Sequence, residues 1–227
     1  GQRLQGNTNL DMLRMPRVTG SNSNEAYPVL GTEDYYDQAL EIRHADGNPT
    51  SILKCASHST KPVEGGTETV FILKDDLYPL TVTLHYIAYT KENIIKQYSE
   101  ITHGEKGDVY INQYASAMLY FEAPSYYLTQ FSSDWAKEMR MSSQKLLPGK
   151  KVLDTRLGAR ASMLTPGFFE LGVGQQVQEN AGTVLMGTIG WTGNFRFTFE
   201  IDHNNQLRVI SGINPDASRY LLKKGEV

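Results

Sequence analysis

The feature that most constrains this chain is the alternation between Phe195 and Ile201. Phe195, Phe197, Phe199 and Ile201 are separated by Arg196, Thr198 and Glu200. A period of two belongs to a strand with one buried face, because successive side chains point to opposite sides. Thr183-Val-Leu-Met-Gly-Thr-Ile-Gly-Trp191 precedes this run across Thr192-Gly193-Asn194. Gln206-Leu-Arg-Val-Ile-Ser-Gly-Ile213 follows it across Asp202-His203-Asn204-Asn205. Both breaks hold Gly or Asn, which tolerate the left-handed backbone of tight turns. Thr183 to Ile213 is therefore predicted as three antiparallel strands in succession. Nothing in it is catalytic.

The same signature recurs along the chain. Ala39-Leu-Glu-Ile-Arg-His44 alternates up to Ala45-Asp46-Gly47-Asn48, and Ser51 to Ser59 follows, which reads as a hairpin about an Asp-Gly turn. Glu68 to Lys74 and Leu80 to Tyr89 are strands separated by Asp75 to Pro79. Asn93 to Thr102, Gly107 to Phe121, Val152 to Thr155 and Phe168 to Val173 complete the set. Residues 1–31 are rich in Asn, Gly, Ser and Pro and are expected to be an extended lead-in. The only helix predicted is Asp134 to Met141, capped by Asp134 or Ser133. Strands without an intervening helical period predict one all-β antiparallel sandwich over residues 1–227 rather than an α/β fold.

Composition narrows the function classes. A net charge of −3 gives no electrostatic reason to expect nucleic acid or an anionic membrane. No stretch approaches the roughly 20 apolar residues of a helical membrane span. Cys55 stands alone, cannot form an internal disulfide, and is expected to be a small buried hydrophobe in the strand Ser51–Ala56. A lone cysteine favours the cytoplasm over the periplasm, while Gly1 in place of Met suggests a processed or clipped start.

Few residues offer chemistry. His44, His58, His85, His103 and His203 do not pair at metal-ligand spacing, so no metal site is expected. Gly187-Thr-Ile-Gly190 and Gly172-Val-Gly174 lack the helix and basic residue of a phosphate-cradling loop, and Gly-x-Ser-x-Gly is absent. Glycoside hydrolysis needs two facing carboxyl groups. Glu33, Asp34, Glu41, Asp46, Asp134, Glu138 and Asp154 supply carboxylates, of which Asp134 and Glu138 would share a face of the short helix. With Lys137 and Arg140 beside them, they read better as a solvated ion-pair face. Sugars stack on exposed aromatic rings, so Trp135, Trp191 or Tyr126-Tyr127 could form a glycan platform. Packing in the core is the preferred reading of each. Asp134, Trp135 and Trp191 are the candidate substrate contacts, and no residue is assigned a catalytic role.

Several stretches together resemble the N-terminal domain of bacterial α-galactosidases of glycoside hydrolase family 36. They are Ala39 to Asn48, Asp75 to Pro79 with Leu84 and Tyr86, Tyr89-Thr-Lys-Glu-Asn93, and Tyr126-Tyr-Leu-Thr-Gln-Phe-Ser-Ser-Asp-Trp-Ala-Lys-Glu138. Leu157-Gly158, Pro166 to Phe169, Gly190 to Phe195 and Gly212 to Pro215 match later landmarks. Ser133 stands where Gly is usual, and Met163 replaces the family's His. The resemblance covers essentially the whole chain. It implies a β-supersandwich of the galactose-mutarotase-like kind, followed beyond residue 227 by a (β/α)₈ barrel that carries both catalytic aspartates. It implies no metal or organic cofactor and a parent that acts on α-galactosides. The partners it implies are the parent's own barrel and further copies in a homo-oligomer. The free-standing alternative is a carbohydrate-binding module.

Overall fold

The computed structural model describes residues 25–32, 34 and 36–227. Most of the predicted lead-in, and the carboxylate of Glu33, lie outside the described residues. The strands are β1 (Leu40–Arg43), β2 (Leu53–Val63), β3 (Gly66–Asp75), β4 (Leu80–Tyr89), β5 (Ile94–His103), β6 (Val109–Glu122) and β7 (Tyr126–Ser132). They continue as β8 (Arg140–Lys145), β9 (Gly149–Asp154), β10 (Phe168–Gln178), β11 (Ala181–Thr188), β12 (Phe195–Ile201), β13 (Gln206–Ile213) and β14 (Tyr220–Leu222). All named pairings are antiparallel.

Among the described residues these strands form three sheets. The largest has the order β1-β6-β13-β12-β9, with β14 also on β6. The other two run β2-β3-β4-β5 and β11-β10-β7-β8. The large sheet is the middle layer, because its side chains feed two separate cores. Ile210 and Met118 join Leu80, Val82, Leu84 and Ile101 on the side of β2–β5. Leu207 and Val209 join Phe195, Phe197 and Phe199 against Leu128, Phe169 and Leu171 on the other side. That is why β13 is buried at almost every position, while β4 alternates between buried and half-buried over residues 80–84. The all-β antiparallel architecture expected from the alternation is the fold observed.

The Phe alternation builds the second core directly. Phe169 meets Phe197 at 5.1 Å and Phe199 at 4.9 Å, both edge to face. Such pairs contribute about 0.5–1.5 kcal/mol beyond the area they bury. Gly187, opposite Phe169 on β11, is what lets the ring lie flat against the sheet: a Cβ there would sit 2.3 Å from the ring.

Several local expectations are corrected. β11 pairs with β10 in an outer sheet and β12 with β13 in the middle one, so Thr183 to Ile213 is one strand plus a hairpin rather than three in succession. Likewise, the Asp46-Gly47 turn closes through the His44 carbonyl, but β1 pairs with β6 and β2 with β3. In both places a turn signal marks a crossing between layers, which turn chemistry cannot distinguish from a hairpin. Asp134 to Met141 is not a helix: it forms a tight loop that runs into β8. Ala136 and Met139 have φ of 58° and 51°, a left-handed backbone that no right-handed helix contains. Pairing of β8 with β7 outweighs the marginal stability of so short a helix. Cys55 is exposed rather than buried, beside a β-bulge that shifts the β2 register.

Candidate functional site

The candidate substrate contacts gather at one end of the molecule, where the loops 133–139, 156–167 and 189–194 emerge. The first loop is set by one tie to the 156–167 loop and a chain of short-range bonds. The Ser133 amide donates to the Leu164 carbonyl at 2.8 Å, and the Lys137 amide to the Asp134 carbonyl at 3.0 Å. The Asp134 carboxylate accepts from the Trp135 amide at 2.8 Å, and Ser133 Oγ from the Met139 amide at 3.0 Å. Two residues in the left-handed region complete it, each at a cost of order 1 kcal/mol or more. The consequence is that Trp135 projects outward with 89% of its surface exposed. The core reading of Trp135 is corrected by this geometry.

Trp191 lies on the 189–194 loop and is 48% exposed, not core. Its indole N–H donates to the Asn194 carbonyl at 3.1 Å, and the ring folds over Gly193, where a Cβ would fall 2.7 Å from the indole nitrogen. Asn194 Oδ1 in turn accepts from the Gly158 amide at 2.7 Å, which ties this loop to the next. Met139, Leu157, Met163 and Leu164 are also exposed on these loops, so the end is apolar as well as aromatic. Tyr126, by contrast, is fully buried, with its hydroxyl donating to the Phe121 and Asn205 carbonyls, and the core reading of it holds.

Four of the carboxylates weighed for catalysis, Asp34, Asp46, Asp134 and Asp154, serve structure. Asp34 is buried against Arg208 at 2.5 Å, and Arg208 Nη1 also donates to the Asp37 carbonyl, which fastens the incoming chain across the middle sheet. Asp46 accepts from the Asn48 amide and the Tyr78 hydroxyl, and these bonds, the first above all, hold its carboxyl below the ordinary range. Asp154 accepts from Asn214 Nδ2. Asp134 and Glu138 share no helix face, since there is no helix. Glu200 is raised above the ordinary carboxylate value, chiefly by burial. It accepts from the Asp37 amide at 2.7 Å and so belongs to the same fastening.

One arrangement escaped the sequence altogether. His44 Nδ1 lies 2.7 Å from Glu105 Oε1, and His44 Nε2 lies 2.9 Å from Ser51 Oγ. Those are the contacts of a Ser-His-Glu relay. A nucleophile must reach its substrate, and Ser51 is only 2% exposed. The backbone packs so closely there that a Cβ on Gly31 would lie 2.3 Å from the Ser51 carbonyl oxygen. With Tyr78 stacked on the imidazole at 3.6 Å, the relay is a buried clasp. Residue types 7 and 61 apart in sequence give no signal for it.

Among the described residues no group of three or more His, Cys, Asp or Glu side chains could hold a metal ion. A concavity of about 420 Å³ runs beside β5 and β14 and is lined by Ile101, Ile111, Tyr114 and Leu222 among others. It lacks a pair of acids and lies away from the tryptophans.

An all-β sandwich of three layers, with its polar clusters committed to structure, is the class that fold and site define. The chain belongs to the glycosyl hydrolase family 36 N-terminal domain family, whose model matches residues 1–223. It is 26% identical over 217 residues to α-galactosidase AgaA of Geobacillus stearothermophilus, covering 89% of this chain and 30% of the relative. It is also 26% identical over 216 residues to the bifunctional α-galactosidase/sucrose kinase AgaSK of Mediterraneibacter gnavus, covering 89% of this chain and 23% of the relative. The crystal structure of the α-galactosidase AgaB from Geobacillus stearothermophilus superimposes with a TM-score of 0.82 at 25% identity, covering 88% of this chain and 30% of that one. The chain thus spans less than a third of the length of these relatives.

Proposed function

We propose that this chain is the non-catalytic N-terminal domain of a retaining α-galactosidase that releases terminal α-linked galactose from oligosaccharides. The observation that carries the reading is the match of nearly the whole chain to under a third of relatives named α-galactosidases. The commitment of Asp34, Asp46, Asp134 and Asp154 to structural bonds supports it, because hydrolysis then falls to another part of the parent. In this reading residues 1–227 form a single domain that docks on a catalytic barrel and helps assemble a homo-oligomer. The exposed apolar surfaces suit such contacts. The direct test is aryl α-galactoside hydrolysis. The parent turns the substrate over and the isolated chain does not; protein-dependent turnover by residues 1–227 alone overturns the proposal.

A second reading, a carbohydrate-binding module, is favoured by one observation: Trp135 is held outward by a hydrogen-bonded loop. In that case Asp134, Trp135 and Trp191 contact the glycan. Calorimetric titration with galactosides decides it. Heat that disappears in Trp135→Ala supports binding, and silence across galactosides removes it.

A further inference from the structure

The outer edge of β5 ends the sheet β2-β3-β4-β5, and among the described residues no strand pairs with it. β14 likewise pairs only with β6. Between these two edges lies the groove of about 420 Å³, with Ser99 and Ile101 on one wall, Leu222 on the other, and Ile111 and Tyr114 beneath. An unpaired edge beside an apolar trough is where an extended segment adds by main-chain hydrogen bonding.

The backbone after β14 is already turned toward that trough. His103, the last residue of β5, is buried, and its Nε2–H donates to the Leu222 carbonyl at 2.8 Å. The Glu105 amide donates to Nδ1, which fixes that tautomer. Lys223 to Glu226 then forms a tight turn, closed by the Glu226 amide on the Lys223 carbonyl at 3.0 Å, with Gly225 at φ 77°. A positive φ at the third position is the mark of a type II turn, which glycine adopts without strain. The turn is pinned from both sides. The Gly225 amide donates to the His103 carbonyl, and the Glu226 carboxylate accepts from the Lys223 amide and the Tyr220 hydroxyl. Val227 comes out on the groove itself.

The directions agree. β14 runs toward His103, as β5 does, so a chain reversed by the Lys223–Glu226 turn runs antiparallel to both edges. We infer that this groove is the seat of one more strand, supplied by the residues that follow Val227 in the longer parent chain, and that this strand stitches the β5 edge to β14. The inference rests on the reading of the chain as part of a longer protein. Five residues of β5, Ser99 to His103, correspond to a strand of about 17 Å at roughly 3.3 Å per residue. Its side chains alternate, with every second one apolar and facing Ile111 and Tyr114.

Amide hydrogen exchange tests this on the parent and on residues 1–227. The β5 edge amides between residues 98 and 103 exchange about 100-fold more slowly in the parent than in the isolated chain, while β3–β4 amides report that both are folded. A proline placed three residues beyond Val227 in the parent removes a ladder donor. It releases the β5 edge and leaves β3–β4 protected, which serves even if the isolated chain does not fold. β5 amides equally protected in residues 1–227 overturn the inference, since the edge is then covered by residues 1–24 or by a second copy. Equal exposure in both chains, or indifference to the proline, overturns it as well. Hydrolysis of an aryl α-galactoside is measured on the same parent. An active parent with an unprotected edge sinks the strand alone, and an inactive parent with a protected edge sinks the functional reading alone.

Discussion

Phe197 and Trp135 sit in runs of comparable apolarity and meet opposite fates. Phe197 lies at the centre of an alternating strand, and its neighbours across β13 and β9 fix which face it presents. Trp135 lies in a loop held by local hydrogen bonds and a single tie from Ser133 to Leu164, and its own ring is left exposed. The difference teaches that periodicity, rather than side-chain hydrophobicity, decides burial here. An aromatic residue without a period-two partner is free to be spent on an interface.

The largest expected effect comes from the periodic region. Phe197→Ala removes a fully buried ring from the stack with Phe169 and Phe195 and lowers stability by about 3–5 kcal/mol in chemical denaturation. A loss under about 1 kcal/mol would break the comparison at once. Asp34→Asn is next: it leaves Arg208 buried beside a neutral partner, and the loss of a buried pair member is of order 3 kcal/mol. The double change Asp34→Leu with Arg208→Met recovers most of that loss if the pair is a fastening rather than a source of net stability.

Smaller effects sharpen the contrast. Gly187→Ala drives a methyl into the Phe169 ring and costs about 1–3 kcal/mol, whereas Gly190→Ala meets nothing within 4 Å and stays near zero. Thermal melting of the two variants checks this. Glu68 adds a pH dependence. Its carboxyl is held below the ordinary range by bonds from His85 and then Lys61. A carboxyl depressed in the folded state stabilises above its unfolded value, roughly 4.3, and that contribution is lost as pH falls through the folded value. Glu68→Gln therefore flattens the acid limb of a stability-versus-pH curve, and an unchanged limb would show the cluster to be idle. Trp135→Ala, from the other side of the comparison, changes stability by less than about 0.5 kcal/mol.

Much of this fold was legible because period two is unambiguous in β4 and β12, and the large sheet's two-sided burial shows in the adjacent apolar residues Val209 and Ile210, which feed opposite cores. Layer assignment was not legible. A Gly-Asn break between two strands looks the same whether the chain returns along its neighbour, as at Asn204-Asn205, or crosses to another sheet, as at Gly193-Asn194. The helix expected at Asp134 failed for a related reason. Its cap and its i, i+4 charges are local cues, and the β7–β8 ladder that overrides them is a pairing between segments. The His44–Ser51–Glu105 clasp and the β5 edge groove are long-range juxtapositions, for which a single sequence carries no sign.

The central claim is that this domain contributes scaffold and contact, not catalytic acids. The most direct measurement is aryl α-galactoside hydrolysis by the full-length parent carrying Asp134→Asn or Glu138→Gln. The account predicts kcat within about twofold of the unmodified parent for both, since neither carboxylate serves as nucleophile or proton donor. A fall of about a thousandfold or more in either, with the protein still folded, would place a catalytic carboxyl in this domain and contradict the account.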